Sequence, residues 1–145
     1  MATKESDGFF ASERAAMKAR AAELRAEGRK GAKKADGLQA VLDAIAAMPA
    51  ADRALAERVH VVVTTAAPGL SPKTWYGQPA YADASDKVVV FFQSADKFST
   101  RYCTLGFQDA AALDAGDLWP VAFALTGWSP AVEKKLTTLV KRAVS

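Results

Sequence analysis

Apolar residues recur at helical spacing in two neighbouring stretches of the first half of the chain. The first stretch has its apolar face at Val41, Leu42, Ile45 and Met48. Asp36, followed by Gln39 three residues later, is typical of a capping box at the start of this helix. A second helix is predicted over about residues 51–66, and it ends before the pair Pro68–Gly69. Its inward positions are Leu55, Val59, Val62 and Val63.

The apolar pattern takes a strand period in the second half of the chain. The run KVVVFFQSA, residues 87–95, is β-branched and aromatic, which predicts a central strand. The run FSTRYCTLGF, residues 98–107, alternates between two faces, and SADK before it has the length of a hairpin loop. A further strand is predicted within LWPVAFALTGW, residues 118–128, where larger apolar residues alternate with alanines. These larger residues are Val121, Phe123 and Leu125.

The last predicted helix opens with Ser129 as its N-cap and Pro130 at its first position. Its apolar face consists of Val132, Leu136, Leu139, Val140 and Ala143. Helices therefore precede and follow an antiparallel run of strands. This order predicts the α+β class, with a small antiparallel β-sheet that has helices packed on one face.

Residues 1–36 are predicted to form an N-terminal tail and a basic helical extension, and residues 37–145 the α+β domain. The tail is expected to be disordered over residues 1–8, and the extension to begin at Ser12 as its N-cap. Between Glu13 and Lys34, eight basic residues stand against three acidic ones. Such a charge imbalance can attract nucleic acid, although the segment lacks aromatic interleaving and a recognisable binding motif. A solvated helix followed by a glycine-containing connector is the alternative.

The composition, with 50% hydrophobic residues among 145, is that of one globular domain. A single cysteine, Cys103, has no partner for an internal disulfide, which fits a reducing cytoplasm. The N-terminal MATKESDGFF lacks the apolar region of a secretory signal. The apolar run 88–92 is shorter than the roughly 20 residues that span a bilayer. We therefore expect a cytoplasmic protein without membrane contact, and the sequence leaves its oligomeric state open.

The segment SPKTWYGQPAY, residues 71–81, concentrates the candidate binding residues. Gly77 allows a left-handed turn, and Pro79 fixes its own φ and removes a donor. The turn can then present Trp75, Tyr76 and Tyr81 around one concavity, as small-ligand pockets require. The alternative is that Trp75 and Tyr81 close the end of the core. Nearby positive charges would favour an anionic or planar ligand, and they are Lys73, Lys97 and Arg101.

Residues for catalysis are few. The chain has one histidine, His60, and one cysteine, Cys103. It therefore offers few residues for a nucleophile–base pair and no second histidine for a metal-binding pair. No phosphate loop, dinucleotide fingerprint or metalloprotease pair appears in the sequence. Arg101, two residues from Cys103, is the positive neighbour that a reactive thiol would need. The sequence favours a binding role over an enzyme, and no catalytic residue is assigned.

Three segments together resemble the YdhG-like family, a domain family of unknown function. They are KTWYGQPAY, KVVVFFQSADKF and RYCTLGF. The family pattern is an aromatic–Gly–x–Pro–aromatic turn, then an apolar strand and then a lysine. Here it falls on Tyr76, Gly77, Pro79 and Tyr81, then on residues 88–92, then on Lys97. The resemblance extends from about residue 40 to residue 143.

The resemblance implies a frataxin-like α–β sandwich, and because some members are described as intracellular iron chaperones it also implies iron as cargo. Iron delivery of that kind uses exposed carboxylates on the first helix, since oxygen ligands suit weakly held iron. In this chain the first helix is basic, and the helix over residues 51–66 offers only Asp52 and Glu57. The sequence thus leaves a domain that binds a small molecule or a protein partner, with an iron chaperone and a nucleic-acid accessory protein as alternatives.

Overall fold

The computed structural model describes residues 3–27 and 34–145, and the side chains of residues 11–26 and 36–145. The helices are α1 (Thr3–Glu27), α2 (Lys34–Ala46), α3 (Ala50–Ala66), the single turn α4 (Ala95–Phe98) and α5 (Pro130–Ala143). The strands are β1 (Ser71–Trp75), β2 (Gln78–Ala82), β3 (Val88–Gln93), β4 (Cys103–Phe107) and β5 (Ala122–Leu125).

The five strands form one antiparallel sheet in the order β1-β2-β3-β4-β5. The apolar run of β3 lies at its centre, as predicted. Directly paired residues share a face of the sheet, so the register Phe92↔Leu105↔Phe123 defines one face. The neighbouring register Phe91↔Gly106↔Ala122 defines the other face.

Helices α2, α3 and α5 cover the face that carries Phe92. Their inward residues are almost fully buried against that face, and they include Val41, Ile45, Val59, Val63, Leu136 and Val140. These helices and this face of the sheet form one apolar core, whose burial is the main stabilising contribution to folding. The predicted α+β class, with helices on one face of an antiparallel sheet, is confirmed. None of the helices in the described residues is both long and apolar enough to cross a membrane.

The N-terminal predictions need correction. Helix α1 begins at Thr3, so residues 3–8 are helical and Ser12 lies inside the helix. Adding a turn to an existing helix fixes fewer dihedrals per hydrogen bond than starting one, which favours such an extension. Helix α2 begins at Lys34, so Asp36 is not its N-cap, and the Gln39 side chain donates to Asp43 Oδ1 at 2.8 Å. Residues 28–33 of the predicted connector lie outside the described residues.

The predictions for Leu42 and the SADK segment are wrong, and the prediction for Ser129 is confirmed. Leu42 is 41% exposed, because it is next to Val41 and points about 100° away from the buried face of α2. The SADK segment is not a plain hairpin loop, since it contains the helical turn α4. The cap at Ser129 is confirmed, because its hydroxyl accepts the N–H of Val132 at 3.2 Å.

Candidate functional site

A two-residue turn, Tyr76–Gly77, joins β1 to β2 between the paired residues Trp75 and Gln78. Both turn residues have positive φ, 53° at Tyr76 and 78° at Gly77, as in a type I′ hairpin turn. Glycine adopts this conformation readily, as predicted for Gly77, but a bulky residue such as tyrosine rarely does. The surroundings of Tyr76 must therefore hold its backbone in place.

Charged side chains from two other elements bind this turn. The Glu23 carboxylate of α1 accepts the N–H of Tyr76 at 2.8 Å through Oε1 and the N–H of Gly77 at 3.1 Å through Oε2. Lys97 Nζ of α4 donates to the carbonyl oxygen of Tyr76 at 3.1 Å. The guanidinium of Arg20 lies 3.8 Å from Glu23 and 5.9 Å from the centre of the Tyr76 ring. The turn thus has an anion on its N–H groups and a cation on a carbonyl.

The electrostatic environment of the turn is partly desolvated. The Glu23 side chain is only 10% exposed. Burial lowers the pKa of Lys97, and the negative charge of Glu23 opposes that shift. Gly77 also leaves room for the ammonium group, because a Cβ at this position would collide with Lys97 Nζ. Burial strengthens the attraction between these charges, since water screens them less than at an exposed site.

An aromatic cluster lies beside the turn on the sheet face opposite the core. The ring centres of Trp75 and Tyr76 are 4.9 Å apart in an edge-to-face arrangement, and those of Trp75 and Phe91 are 5.3 Å apart. Phe91 lies across Gly106, where a Cβ would collide with its ring. Tyr76 is 39% exposed, and Trp75 and Phe91 are partly buried. The cluster therefore offers rigid apolar surface next to the polar turn.

Pro79 and Tyr81 lie on the other face of the sheet. Trp75 is paired with Gln78, so Tyr81, three residues further along β2, points to the opposite side. Tyr81 is 1% exposed, and its hydroxyl is 2.8 Å from His60 Nδ1. Burial lowers the pKa of His60, so the ring is neutral at neutral pH and shares a hydrogen bond with the tyrosine hydroxyl through Nδ1. Tyr81 therefore lies in the core, as the structural alternative proposed, whereas Trp75 lies on the opposite face of the sheet, so the two residues share neither the core nor a common concavity.

The two remaining predicted cations lie away from the turn. Lys73 Nζ is 3.3 Å from Asp86 Oδ1, in the loop between β2 and β3. Arg101 is exposed between α4 and β4, with its guanidinium 5.5 Å from the centre of the Tyr102 ring. Of the three predicted cations, Lys97 is the one that binds the turn.

A buried polar cluster around Asp52 has no counterpart in the sequence analysis. Asp52 of α3 accepts from the Ser94 hydroxyl at 2.6 Å, the Asp96 N–H at 3.0 Å and the Cys103 thiol at 3.4 Å. Burial alone would raise the pKa of Asp52, but the bonds from Ser94 and Asp96 outweigh it and lower that pKa. Since 42 residues separate Asp52 from Ser94, no local pattern could have predicted this cluster.

The cluster also defines the chemistry of Cys103. Burial raises the pKa of its thiol to about 11, and the negative charge of Asp52 acts in the same direction. The side chain that contacts the thiol is thus an acid, whereas a reactive cysteine would need a positive neighbour. Cys103 therefore stays protonated at neutral pH as a buried hydrogen-bond donor.

Gln78, the residue after the turn, is also buried. Its side-chain oxygen accepts the N–H of Ser94 at 3.2 Å. Within the described part of the chain, its Nε2 group has no hydrogen-bond partner, although the residue is 4% exposed. Unpaired buried donors of this kind are rare in proteins.

The two alternative functions would need a metal site or a basic nucleic-acid-binding surface. Across the residues that the structure describes, no group of three or more His, Cys, Asp or Glu side chains converges on a point that could hold a metal ion. Of the basic residues in the N-terminal segment, four have described side chains, namely Arg14, Lys18, Arg20 and Arg25. Arg20 contacts the aromatic turn.

No family model, no curated protein and no solved structure matches the chain.

Proposed function

We propose that this chain is a ligand- or partner-binding domain of the YdhG-like kind, and that it binds through the aromatic turn and the adjoining sheet face. The observation that carries the proposal is the cluster of Trp75, Tyr76 and Phe91 beside a turn whose N–H groups hold a carboxylate. Apolar area, an anion-binding backbone and one cation, Lys97, adjoin one another at the end of the sheet.

Such a combination suits a ligand with a planar or apolar body and an anionic end. Aromatic side chains with polar tips provide large contact areas at a small cost in side-chain entropy, which is why they are enriched in binding sites. The sheet holds Trp75 and Phe91 in register, so their rings are positioned before any ligand arrives.

The chemically reactive side chains favour binding over catalysis. His60 is hydrogen-bonded to Tyr81 on the core side of the sheet, and Cys103 is a buried, protonated thiol. Neither lies next to the aromatic cluster. The proposed role therefore requires recognition and no bond-making step.

Calorimetric titration with a panel of aromatic monocarboxylates, beginning with indole-3-acetate and 4-hydroxybenzoate, tests the proposal. We expect saturable binding that Trp75→Ala or Tyr76→Ala weakens about tenfold or more, since a central aromatic often contributes at least about 1.4 kcal/mol. Tyr102→Ala is the matched control, because Tyr102 is 36% exposed, similar to Tyr76. Binding that survives both turn substitutions unchanged would contradict the proposal.

A further inference from the structure

The Tyr76–Gly77 turn already holds a carboxylate, and that carboxylate belongs to the protein itself. We propose that the turn is a carboxylate-binding site and that Glu23 of α1 occupies it as a displaceable internal ligand. The inference rests on the proposed function and specifies the chemical group that the site recognises. It also makes α1 a regulatory element, because external carboxylates must compete with Glu23.

The geometry is that of a two-pronged carboxylate site. Each Glu23 oxygen receives a separate N–H, from Tyr76 at 2.8 Å and from Gly77 at 3.1 Å. Consecutive N–H groups can converge on one anion in such a turn, where both residues have positive φ. The strained conformation of Tyr76 directs the N–H groups of Tyr76 and Gly77 at one carboxylate. These donors belong to the β1–β2 hairpin, whose strand pairing and contact with Lys97 do not involve α1.

The charge that remains with the hairpin fits a single carboxylate. Lys97 belongs to α4 and donates to the Tyr76 carbonyl, so it stays beside the turn in the absence of Glu23. Arg20 belongs to α1, like Glu23, and leaves with it. One ammonium group next to two N–H donors matches a monoanion better than a phosphate dianion, for which clusters of arginines are the usual partners.

The described side chains of α1, residues 11–26, bury little apolar surface. Among the described side chains of α1, residues 11–26, Ala16 is the one that is buried, at 6% exposure. Within residues 11–26, the two larger apolar residues remain exposed, Met17 at 66% and Leu24 at 53%. A helix that docks through an apolar face usually buries several such residues. Here the Glu23 carboxylate is the principal described polar contact between α1 and the sheet.

The test uses the full chain and nuclear magnetic resonance of backbone amides. Sodium butyrate and the acetylated, amidated tripeptide Ala-Glu-Ala, which each carry one carboxylate, are titrated separately, and the shifts of the Tyr76 and Gly77 amides report on the site. Glu23→Ala empties the site. Glu13→Ala is the matched control, because it removes an exposed carboxylate from the same helix. Glu23→Gln is a second variant that keeps a neutral acceptor for the case that Glu23→Ala does not fold.

We expect Glu23→Ala to bind the probes about tenfold more tightly than the wild type, which corresponds to Glu23 occupying the site about 90% of the time. Glu23→Gln should fall between the two, and Glu13→Ala should match the wild type. Adding Lys97→Met to Glu23→Ala should abolish the gain, because it removes the cation that stays with the turn. Equal affinity for both probes would indicate that the ligand is a small carboxylate. Tighter binding of the peptide would indicate that the ligand is an acidic segment of a partner protein. Either result supports the inference.

The inference is overturned if folded Glu23→Ala or Glu23→Gln shows no shift at the Tyr76 and Gly77 amides, or if these variants bind no more tightly than the wild type. Its failure is separable from that of the proposed function. If aromatic carboxylates bind only when Trp75 is present, and Glu23→Ala leaves the affinity for the probes unchanged, the inference alone is refuted. If butyrate binds to Glu23→Ala, and Trp75→Ala leaves the binding of aromatic ligands unchanged, the aromatic role alone is refuted.

Discussion

Asp52→Ala should destabilise the protein strongly, although Asp52 lies outside the proposed binding site. Its carboxylate joins three elements, since it accepts from Ser94 before α4, from the N–H of Asp96 in α4 and from Cys103 in β4. Ser94 is 3% exposed, so removing the carboxylate leaves its hydroxyl without water or another acceptor close by. The substitution therefore leaves buried donors unpaired and detaches α3 from the end of the sheet.

The magnitude follows from the individual bonds. A hydrogen bond to a charged group contributes about 1.5–3 kcal/mol, which applies to the Ser94 hydroxyl at 2.6 Å. Loss of a carboxylate at the first turn of a helix costs about 0.5–2 kcal/mol, which applies to the Asp96 N–H. The thiol is a weak donor and adds little. We expect Asp52→Ala to lower the free energy of unfolding by about 2–5 kcal/mol and Asp52→Asn by about half as much, because neutral hydrogen bonds are roughly half as strong.

Equilibrium unfolding in urea, followed by far-ultraviolet circular dichroism, measures these differences. Glu57→Ala is the matched control, since it removes an exposed carboxylate from the same helix. The folded-state pKa of Asp52 lies below 3.8, so the unfolded chain takes up this proton first as the pH falls. The stabilisation is therefore present above pH 3.8 and is lost as the pH falls through the lower folded-state value. A loss below about 1 kcal/mol for Asp52→Ala at neutral pH would refute this account of the cluster.

Four further predictions concern the turn and the core. Gly77→Ala should lower the free energy of unfolding by at least about 1–2 kcal/mol. Alanine is strained at positive φ, and its Cβ would collide with Lys97 Nζ. An unchanged melting temperature would contradict this turn geometry. Tyr81→Phe should cost about 0.5–1.5 kcal/mol through the lost bond to His60. Burial lowers the pKa of His60, so a histidine titration by nuclear magnetic resonance should give a midpoint below 6.5. The stability contributed by the neutral ring should fall as the pH drops below that value. A midpoint above 6.5 would contradict this prediction. The Cys103 thiol, with its pKa raised to about 11, should react slowly with a disulfide reagent at pH 7 in the folded protein and quickly in denaturant. Equally fast labelling of the folded and the denatured protein would show that the thiol is not buried.

The candidate site was only partly predictable from the sequence. Trp75, Tyr76 and Gly77 are neighbours in the chain, so their clustering follows from local geometry, and the positive φ of Gly77 from its lack of a Cβ. The orientation of Tyr81 depends on strand register, because a turn of two residues determines which residues of β2 share a face with Trp75. The contact of Glu23 with Tyr76 joins positions 53 residues apart and has no local pattern.

The sequence by itself determined the elements whose apolar period is strong and local. It predicted α3, α5 with its cap at Ser129, the central strand β3 and the α+β order, since periodicity and capping depend on residues a few positions apart. Only the tertiary structure decided the polar contacts that connect distant elements, at the turn and at Asp52. A hydrogen bond depends on the position of two groups in space, and the chain separation between them carries no information about that position.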